Sequence, residues 1–277
     1  MAKGLSLHIG LNAVDPAKYG GWSGKLAGCE NDARDMAAIA TKQGFTPKVL
    51  LTKAGTSVAV TAGIKAAAAK LVAGDAFFLT YSGHGGQVPD ANRDEDDGLD
   101  ETWCLYDRQM LDDELYGLYG LFAKGVRVTV LSDSCHSGTV LRMALDSGAR
   151  IPIRSAGTID YSALTPRAMP REVQRPAFEI QKRALSRAQK AYAKPPAVKA
   201  SVVLISGCQD NQTSADGARN GLFTETLLRV WDDGRYTGSL KEFHNRIQRQ
   251  MPFVQSPNYF KVGTVSATFE NAKPFAL

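Results

Sequence analysis

Short apolar segments alternate with helical segments along most of this chain, and that alternation limits the folds it can adopt. Five runs rich in β-branched or aromatic residues have the length and composition of buried strands. Two alanine-rich segments between the first three runs, Asn31–Gln43 and Val58–Leu71, have apolar residues at helical spacing. Strands that alternate with helices predict an α/β fold, a mostly parallel sheet with helices on both faces. The predicted strands are Leu5–Gly10, Lys48–Thr52, Ala76–Ser82, Val126–Ser132 and Ser201–Ser206.

The region from 142 to 200 interrupts this pattern. It carries several prolines among scattered Arg and Lys, which predicts an exposed linker, with a charged surface helix over Glu179–Ala193. Helices Leu222–Trp231 and Leu240–Met251 and a strand near Tyr259–Val262 are predicted after it. We therefore expect one domain over 1–277, divided into a larger portion (1–141), a basic linker insertion (142–200) and a small C-terminal portion (201–277).

Most of the positive charge lies in that linker. The chain has a net charge of +5, and between Arg142 and Lys199 twelve Arg and Lys stand against four Asp and Glu. A nucleic-acid binder would interleave such a segment with many aromatic residues, and this one offers Tyr161, Phe178 and Tyr192. A solvated linker explains the charge better, and we expect no nucleic-acid partner.

The cysteines and the apolar segments bear on the compartment. Cys29, Cys104, Cys135 and Cys208 form no CxxC pair, which favours a reduced protein of the cytoplasm. No apolar run approaches the ~18 residues of a membrane span, and the first residues lack the apolar core of a secretion signal. No membrane association is expected.

Two of the predicted strands end in loops suited to catalysis. Strand Ala76–Ser82 runs into Gly83-His84-Gly85-Gly86, and Val126–Ser132 runs into Asp133-Ser134-Cys135-His136-Ser137-Gly138. In an open parallel sheet, reactive groups collect at the carboxyl ends of the strands. An imidazole can take the proton of a thiol, and glycines leave backbone N–H groups available to an oxyanion. These loops predict nucleophilic catalysis by Cys135 with His84 as its base.

The other cysteines and histidines have simpler explanations. A single cysteine near a strand end is usually a core residue, and this is the interpretation of Cys29, Cys104 and Cys208 taken singly. His8 lies inside a strand and His244 on a helix, so both are predicted to be structural. His136 adjoins Cys135, but neighbouring residues on a turn point apart, which favours His84 as the base.

The two loops resemble the paired catalytic blocks of the metacaspases, the caspase relatives of bacteria, plants, fungi and protists. The resemblance covers nearly the whole chain outside the basic linker, with its blocks in the family's order. Its other blocks are Gly28-Cys29-Glu30-Asn31-Asp32-Ala33, Asp96-Asp97-Gly98-Leu99-Asp100-Glu101, Leu111-Asp112-Asp113-Glu114 and Ile205-Ser206-Gly207-Cys208-Gln209-Asp210-Asn211-Gln212-Thr213-Ser214-Ala215-Asp216.

The resemblance implies a caspase-like fold and a cysteine endopeptidase that cuts proteins or peptides after arginine or lysine. Cys135 would be the nucleophile and His84 the acid/base group, while the backbone N–H groups of Gly85 and Cys135 would stabilise the oxyanion. The positions that line the family's specificity pocket correspond to Asp32, Asp133, Cys29 and Ser82.

Two carboxylates in one cleft suit a cationic substrate. A guanidinium can bond to carboxylate oxygens in a fork, and opposite charge offsets the cost of desolvating it. Asp32 has a competing interpretation, because a carboxylate at the start of a helix also satisfies backbone N–H groups.

Calcium is the one ion that the resemblance raises. Asp100, Asp112 and Asp113 correspond to three positions of an acidic cluster that binds calcium in some relatives, but the fourth position holds Arg142. Replacing a carboxylate with a cation weakens a site for a hard divalent ion. We therefore expect no metal and no other cofactor.

A peptidase of this specificity would find cut sites in its own linker. Arg183, Arg187 and Lys190 each precede alanine, and we predict self-cleavage at one of them. The two fragments should stay associated, since strands on both sides share one sheet. The resemblance implies a monomer.

Two alternatives stay open. The chain could be a catalytically silent caspase-like scaffold, or another caspase-fold peptidase with a different specificity. Labelling by an arginyl electrophile separates the first alternative from an active enzyme.

Overall fold

A computed structural model of the protein describes residues 2–90, 98–135, 151–152, 158–159, 164–194, 196–208, 212, 214–252 and 254–277. Its strands are β1 (Gly4–Gly10), β2 (Phe45–Leu51), β3 (Ala76–Ser82), β4 (Gly85–Pro89), β5 (Leu99–Cys104), β6 (Gln109–Leu111), β7 (Arg127–Asp133), β8 (Ile151–Pro152), β9 (Thr158–Ile159), β10 (Thr165–Pro166), β11 (Ser201–Ser206), β12 (Ala215–Asp216) and β13 (Asn258–Gly263). Its α-helices are α1 (Cys29–Lys42), α2 (Ser57–Ala68), α3 (Asp112–Tyr119), α4 (Arg171–Tyr192), α5 (Leu222–Trp231), α6 (Leu240–Gln250) and α7 (Ala267–Asn271).

A six-stranded sheet forms the centre, in the order β13-β11-β7-β3-β1-β2. The pairs among β2, β1, β3, β7 and β11 are parallel, and β13 pairs antiparallel with β11. This confirms the predicted α/β class and mostly parallel sheet. Pro47 lies inside β2, where it is tolerated because β2 is an edge strand.

Helices cover both faces of the sheet and bury two separate apolar cores. Alternation along β3 sends Phe78 to one face and Phe77 and Leu79 to the other. Helices α1, α5 and α6 pack on the Phe78 face, and α2 and α3 pack on the opposite face. In the part of the chain that the structure describes, no helix is long and apolar enough to span a membrane.

A small antiparallel sheet, β4-β5-β6, follows the carboxyl end of β3. The sequence patterns did not predict these short strands. Tyr81 at the end of β3 stacks on Trp103 of β5, with ring centroids 4.4 Å apart and planes 10° from parallel. This contact fixes the small sheet against the large one beside the His84 turn.

In the described residues 164–194 and 196–200, the structure corrects the interpretation of the basic region as an exposed linker. Helix α4 begins at Arg171, eight residues before the predicted start, and continues through Pro176. One face of α4 is buried, and its glutamines bond to the core: Gln181 accepts from the Gln109 N–H and donates to the Lys18 carbonyl. Glutamines on the buried face made the helix look solvated in sequence.

Candidate active site

The ends of β3 and β7 bring the two predicted catalytic loops together. In the parallel register Ser82 pairs with Asp133, so His84 and Cys135 each lie two residues beyond a paired position. A side chain at Gly85 would overlap the carbonyl oxygen of Cys135. Only glycine therefore allows the two loops to approach this closely.

His84 is held in one tautomer. Its Nε2 lies 3.1 Å from the Gly24 carbonyl oxygen, which can only accept, so Nε2 carries the proton. The ring packs against Trp22 at a centroid distance of 4.6 Å, and the residue is 4% exposed. In neutral His84 the basic nitrogen is thus Nδ1, and the ring orientation is fixed by Trp22 and Gly24.

Cys135 is fully buried, and its Sγ accepts from the backbone N–H of Ser214. This hydrogen bond fixes the position of the sulfur. Ser214 lies directly before β12, so the C-terminal portion of the chain helps to position the nucleophilic sulfur.

Asp32 and Asp133 line one buried pocket. Asp32 lies in the first turns of α1 and accepts from Asn220 and from the Gly221 N–H. Asp133 ends β7 and accepts from the hydroxyls of Ser214 at 2.6 Å and Thr224 at 2.8 Å. The alternative role of Asp32, satisfying N–H groups of its own helix start, does not match these partners.

The other two predicted pocket residues lie beside these carboxylates. Ser82 Oγ donates to Asp32 at 2.7 Å, and the Cys29 Sγ lies 3.9 Å from an oxygen of Asp216. Burial raises the pKa of the Cys29 thiol well above its usual range, which makes it a neutral wall of the pocket.

The occupant of the pocket is Arg167, which sequence reasoning did not single out. Its side chain is fully buried, and its guanidinium forms ion pairs with Asp32 at 2.7 Å, Asp133 at 2.9 Å and Asp216 at 2.7 Å. The Ser82 hydroxyl accepts a further hydrogen bond from Arg167 Nη1 at 2.8 Å. The guanidinium of Arg167 therefore has all three carboxylates of this pocket as partners.

Asp216 is the second residue that the sequence analysis missed. Its Oδ1 accepts from Arg167 Nε at 3.2 Å as well as from Nη2, and Oδ2 accepts from the Ala27 N–H at 2.6 Å. The signal was present, because Asp216 ends the last block that resembles the metacaspases. It was not weighed as a site residue since the block lies far from both catalytic loops in sequence.

The backbone around Arg167 crosses the cleft and is hydrogen-bonded on both sides. Residues Thr165 and Pro166 pair antiparallel with β12, and the Arg167 N–H donates to the Ser214 carbonyl at 2.9 Å. The Arg167 carbonyl oxygen accepts from the N–H of Gly85 at 3.0 Å and of Cys135 at 3.3 Å. These are the two N–H groups expected to stabilise an oxyanion.

The three predicted self-cleavage residues lie elsewhere. Arg183, Arg187 and Lys190 are exposed on α4, in helical rather than extended backbone. None of them contacts the three-carboxylate pocket that holds Arg167.

Electrostatics in the pocket are dominated by burial. Burial raises the pKa of Asp32 to about 6, while the Arg167 guanidinium opposes that rise. Three carboxylates face one guanidinium, so the cluster keeps excess negative charge when all three are ionised.

Two of the remaining cysteines lie beside this arrangement, because Cys208 packs against Cys135 and Ala168, and Cys104 packs near Met169. The histidines His8 and His244 make separate contacts. His8 is buried between strands, where it bonds to Thr80 and Ser6, and burial lowers its pKa to about 3. His244 bonds to the Pro257 carbonyl. Cys104 and Cys208 are buried, and burial raises the pKa of each thiol. His136 lies outside the described residues.

The candidate calcium residues can be placed in part. Asp100 is buried at the start of β5, where Gln189 of α4 donates to its Oδ2 at 2.7 Å. Asp112 and Asp113 open α3. Arg142 lies outside the described residues. Within the described ranges, no group of three or more His, Cys, Asp or Glu side chains is arranged to hold a metal.

Comparison with known proteins agrees with this geometry. The caspase domain family matches residues 9–269. Metacaspase-1 of Mycosarcoma maydis is 32% identical over 248 residues, covering 80% of this chain and 60% of the relative. Metacaspase-1B of Neosartorya fischeri is 30% identical over 295 residues, covering 91% and 67%. The chain spans about half to two thirds of the length of these curated relatives.

Solved structures show the same fold. Protein GSU0716 from Geobacter sulfurreducens superposes with a TM-score of 0.87 at 51% identity, covering 99% of this chain and 98% of that one. Caspase-1 from Spodoptera frugiperda superposes with a TM-score of 0.54 at 10% identity, covering 95% and 88%, which shows the fold alone. This chain belongs to the caspase domain family, and within it the chain is similar to the metacaspases.

Proposed function

We propose that this protein is a cysteine endopeptidase that cuts after arginine or lysine, and that its own Arg167–Ala168 bond is its first substrate. One observation carries the proposal: Arg167 is held at both ends as a substrate would be. Its guanidinium lies on three carboxylates, and its carbonyl oxygen lies on the N–H groups of Gly85 and Cys135.

The chemistry follows from that arrangement. The Cys135 thiolate attacks the carbonyl carbon of Arg167, and the negative charge that develops on the oxygen is stabilised by two N–H donors already in place. His84, protonated by the thiol, passes the proton to the departing amine of Ala168. A thioester forms as the peptide bond breaks. Water then hydrolyses the thioester, with His84 as base, and frees the Arg167 carboxylate.

This proposal moves the self-cleavage site from α4 to Arg167. The bond to be cut has to lie against the oxyanion donors, and the segment 165–169 already does so, with hydrogen bonds to β12 and to Gly85. Arg183, Arg187 and Lys190 would each need local unfolding of α4 before they could enter the cleft. A cut after Arg167 still leaves the catalytic loops on one fragment and β11 on the other, and the pairing of β7 with β11 in the large sheet joins the two fragments.

The uncut chain holds its own inhibitor. A substrate in solution has to displace a fully buried Arg167 with three ion pairs, and an internal segment has the advantage of high effective concentration. Cleavage turns Arg167 into a chain end and so allows it to leave. Protein and peptide substrates with arginine or lysine before the cut should therefore be processed after self-cleavage.

The remaining features of the proposal follow the sequence. We propose a monomer in the cytoplasm that needs no cofactor, with proteins or peptides as its partners and neither nucleic acid nor membrane among them. The scaffold alternative gains no support from the site, because a silent module has no use for a carbonyl oxygen placed on oxyanion donors. A caspase-fold peptidase of another specificity is disfavoured by three carboxylates in the pocket, which would repel an acidic side chain.

The direct test compares matched peptides that differ only in the residue before the cut. The wild-type protein should hydrolyse Arg and Lys peptides and leave Asp peptides intact. Cys135→Ala should abolish hydrolysis, and His84→Ala should reduce it by at least about 10²-fold. Substantial turnover by purified Cys135→Ala protein would refute Cys135 as the nucleophile, and failure of an arginyl electrophile to label wild-type protein would favour the silent scaffold.

A further inference from the structure

Met169, the second residue after the proposed cut, is buried next to the catalytic loop that contains Gly85. It is 2% exposed and packs in an apolar cluster with Val14, Tyr19 and Cys104, together with Ala177 of α4. Its backbone N–H donates to the Gly85 carbonyl at 2.7 Å. The chain therefore fills a second pocket beyond the scissile bond, in addition to the arginine pocket before it.

Most of that second pocket belongs to the catalytic portion of the chain. Tyr19 is fixed by a hydrogen bond from its hydroxyl to the Leu105 carbonyl at 2.6 Å, and its ring packs against Trp22. Trp22 also contacts the ring of His84. The walls are consequently rigid and are joined to the catalytic histidine.

Gly86 creates the space for the methionine side chain. A Cβ at Gly86 would lie 2.7 Å from the Met169 Cε and 2.8 Å from Gln109 Oε1, distances that no side chain tolerates without displacement. A glycine here leaves room for a long, unbranched side chain that reaches past the backbone of β4. Met is well suited to such an irregular apolar space.

From this packing we infer a specificity pocket for the second residue after the cut, selective for an unbranched apolar side chain. The inference rests on the proposed peptidase function. A substrate bound by the same hydrogen bond to the Gly85 carbonyl places its own second residue between Val14, Tyr19 and Cys104. A charged side chain would be desolvated there without a partner, and glycine would leave the pocket empty. The substrates are thus proteins with arginine before the cut and methionine or a similar residue two positions after it.

A test within the chain measures self-cleavage during cell-free synthesis. Met169→Leu should keep the rate within about threefold, since volume-conserving apolar exchanges are tolerated. Met169→Gly and Met169→Asp should each slow cleavage by at least about tenfold, because losing apolar contacts in a pocket commonly costs 10–200-fold. Thermal unfolding of the same substitutions in Cys135→Ala protein shows whether each uncut chain is folded. Equal rates for Leu, Gly and Asp in folded chains would overturn the inference.

A test on external peptides uses a chain whose own segment no longer competes, carrying Arg167→Gln and Met169→Gly. Peptides with Arg-Ala-Met should be cut at least about tenfold faster, in kcat/KM, than peptides with Arg-Ala-Gly or Arg-Ala-Asp. Adding Gly86→Ala should shrink that ratio, because the new methyl group occupies the space of the methionine end. Both peptides are measured on the same variant, so a general loss of activity lowers both kcat/KM values equally and leaves their ratio unchanged.

The outcomes separate the two proposals. If all Arg peptides are cut at the same rate whatever follows, the second pocket is wrong and the buried Met169 serves only to attach α4, while the peptidase function stands. If wild-type protein cuts no Arg peptide, the peptidase function itself fails. If the double variant does not fold, the self-cleavage rates decide alone.

Discussion

The backbone N–H of Gly85 donates to the carbonyl oxygen of Arg167 at 3.0 Å. Gly85 adjoins the catalytic His84, and Arg167 lies more than 80 residues further along the chain. The same oxygen accepts from the Cys135 N–H at 3.3 Å, so both donors expected for an oxyanion already contact one peptide bond. That bond is the one proposed to be cut.

Asp216 should select arginine over lysine. Its Oδ1 accepts from Nε as well as Nη2 of Arg167, and a lysine side chain has no hydrogen-bond donor at the position of Nε. Asp216→Asn should lower the preference for Arg over Lys peptides, measured as the ratio of kcat/KM, by about tenfold, since a charge-assisted hydrogen bond contributes ~1.5–3 kcal/mol. Asp233→Asn, an exposed carboxylate paired with Lys42, should leave the ratio unchanged. An unchanged ratio in Asp216→Asn would mean that Asp32 and Asp133 alone distinguish the guanidinium of arginine from the ammonium of lysine.

Removing the buried arginine should destabilise the uncut chain. In Cys135→Ala protein, Arg167→Ala leaves three buried carboxylates without their shared partner, and breaking a buried ion pair from one side costs about 3–5 kcal/mol. Urea denaturation should show that loss in the free energy of unfolding. Arg183→Ala, an exposed change on α4, should stay within about 0.5 kcal/mol. Equal stability of the two variants would show that the buried pairs contribute no net stability.

Binding of arginine in the pocket should weaken in acid. With a guanidinium in the pocket, burial raises the pKa of Asp32 to about 6, and without the guanidinium that pKa is higher still. Binding of an arginine therefore requires the carboxyl to lose its proton, which becomes harder as the pH falls. Lowering the pH from 7 to 5 should therefore weaken binding of an Arg peptide by about tenfold. Calorimetry on protein with Cys135→Ala and Arg167→Gln measures binding without turnover. Asp32→Asn in the same background should bind more weakly at pH 7 and lose most of the pH dependence, and a pH dependence that persists would place the titrating group elsewhere.

Activity should survive removal of calcium. The resemblance to the metacaspases implies that Arg142 replaces a carboxylate of the calcium site in some relatives, and Gln189 donates to Asp100. Self-cleaved enzyme in excess chelator should hydrolyse Arg peptides at the rate seen in calcium. Loss of activity in chelator that calcium alone restores would show that Asp100, Asp112 and Asp113 suffice for a site.

Local patterns were sufficient to predict the large sheet. The runs that became β1, β3, β7 and β11 are buried along most of their length because helices cover both faces of the sheet, and their β-branched and aromatic residues are visible in the sequence. The small sheet β4-β5-β6 was not predictable in this way. Its short strands depend on contacts with other parts of the fold, such as Trp103 against Tyr81.

Some residues of the candidate site could likewise be predicted from local sequence, and others could not. His84, Cys135, Asp32 and Asp133 lie in recognisable blocks, and the structure brings their loops to one end of the sheet. Arg167 could not be separated from the other basic residues of its region, because what distinguishes it is three partners that lie 34–135 residues away. Long-range pairing of this kind leaves no periodic signal. Helix α4 was misjudged for a related reason, since its buried glutamines satisfy backbone groups of distant loops.

The masses and N-terminal sequences of the fragments formed by wild-type protein test the central claim most directly. We predict two fragments that remain associated, the second beginning at Ala168, and no cleavage of Cys135→Ala protein treated in the same way. A second fragment that begins at Ala184, Ala188 or Ala191 would show that the cut follows Arg183, Arg187 or Lys190 instead of Arg167. An active wild-type protein that stays uncut, or equal cutting of both proteins, would contradict the account that Arg167 occupies the cleft as the first substrate.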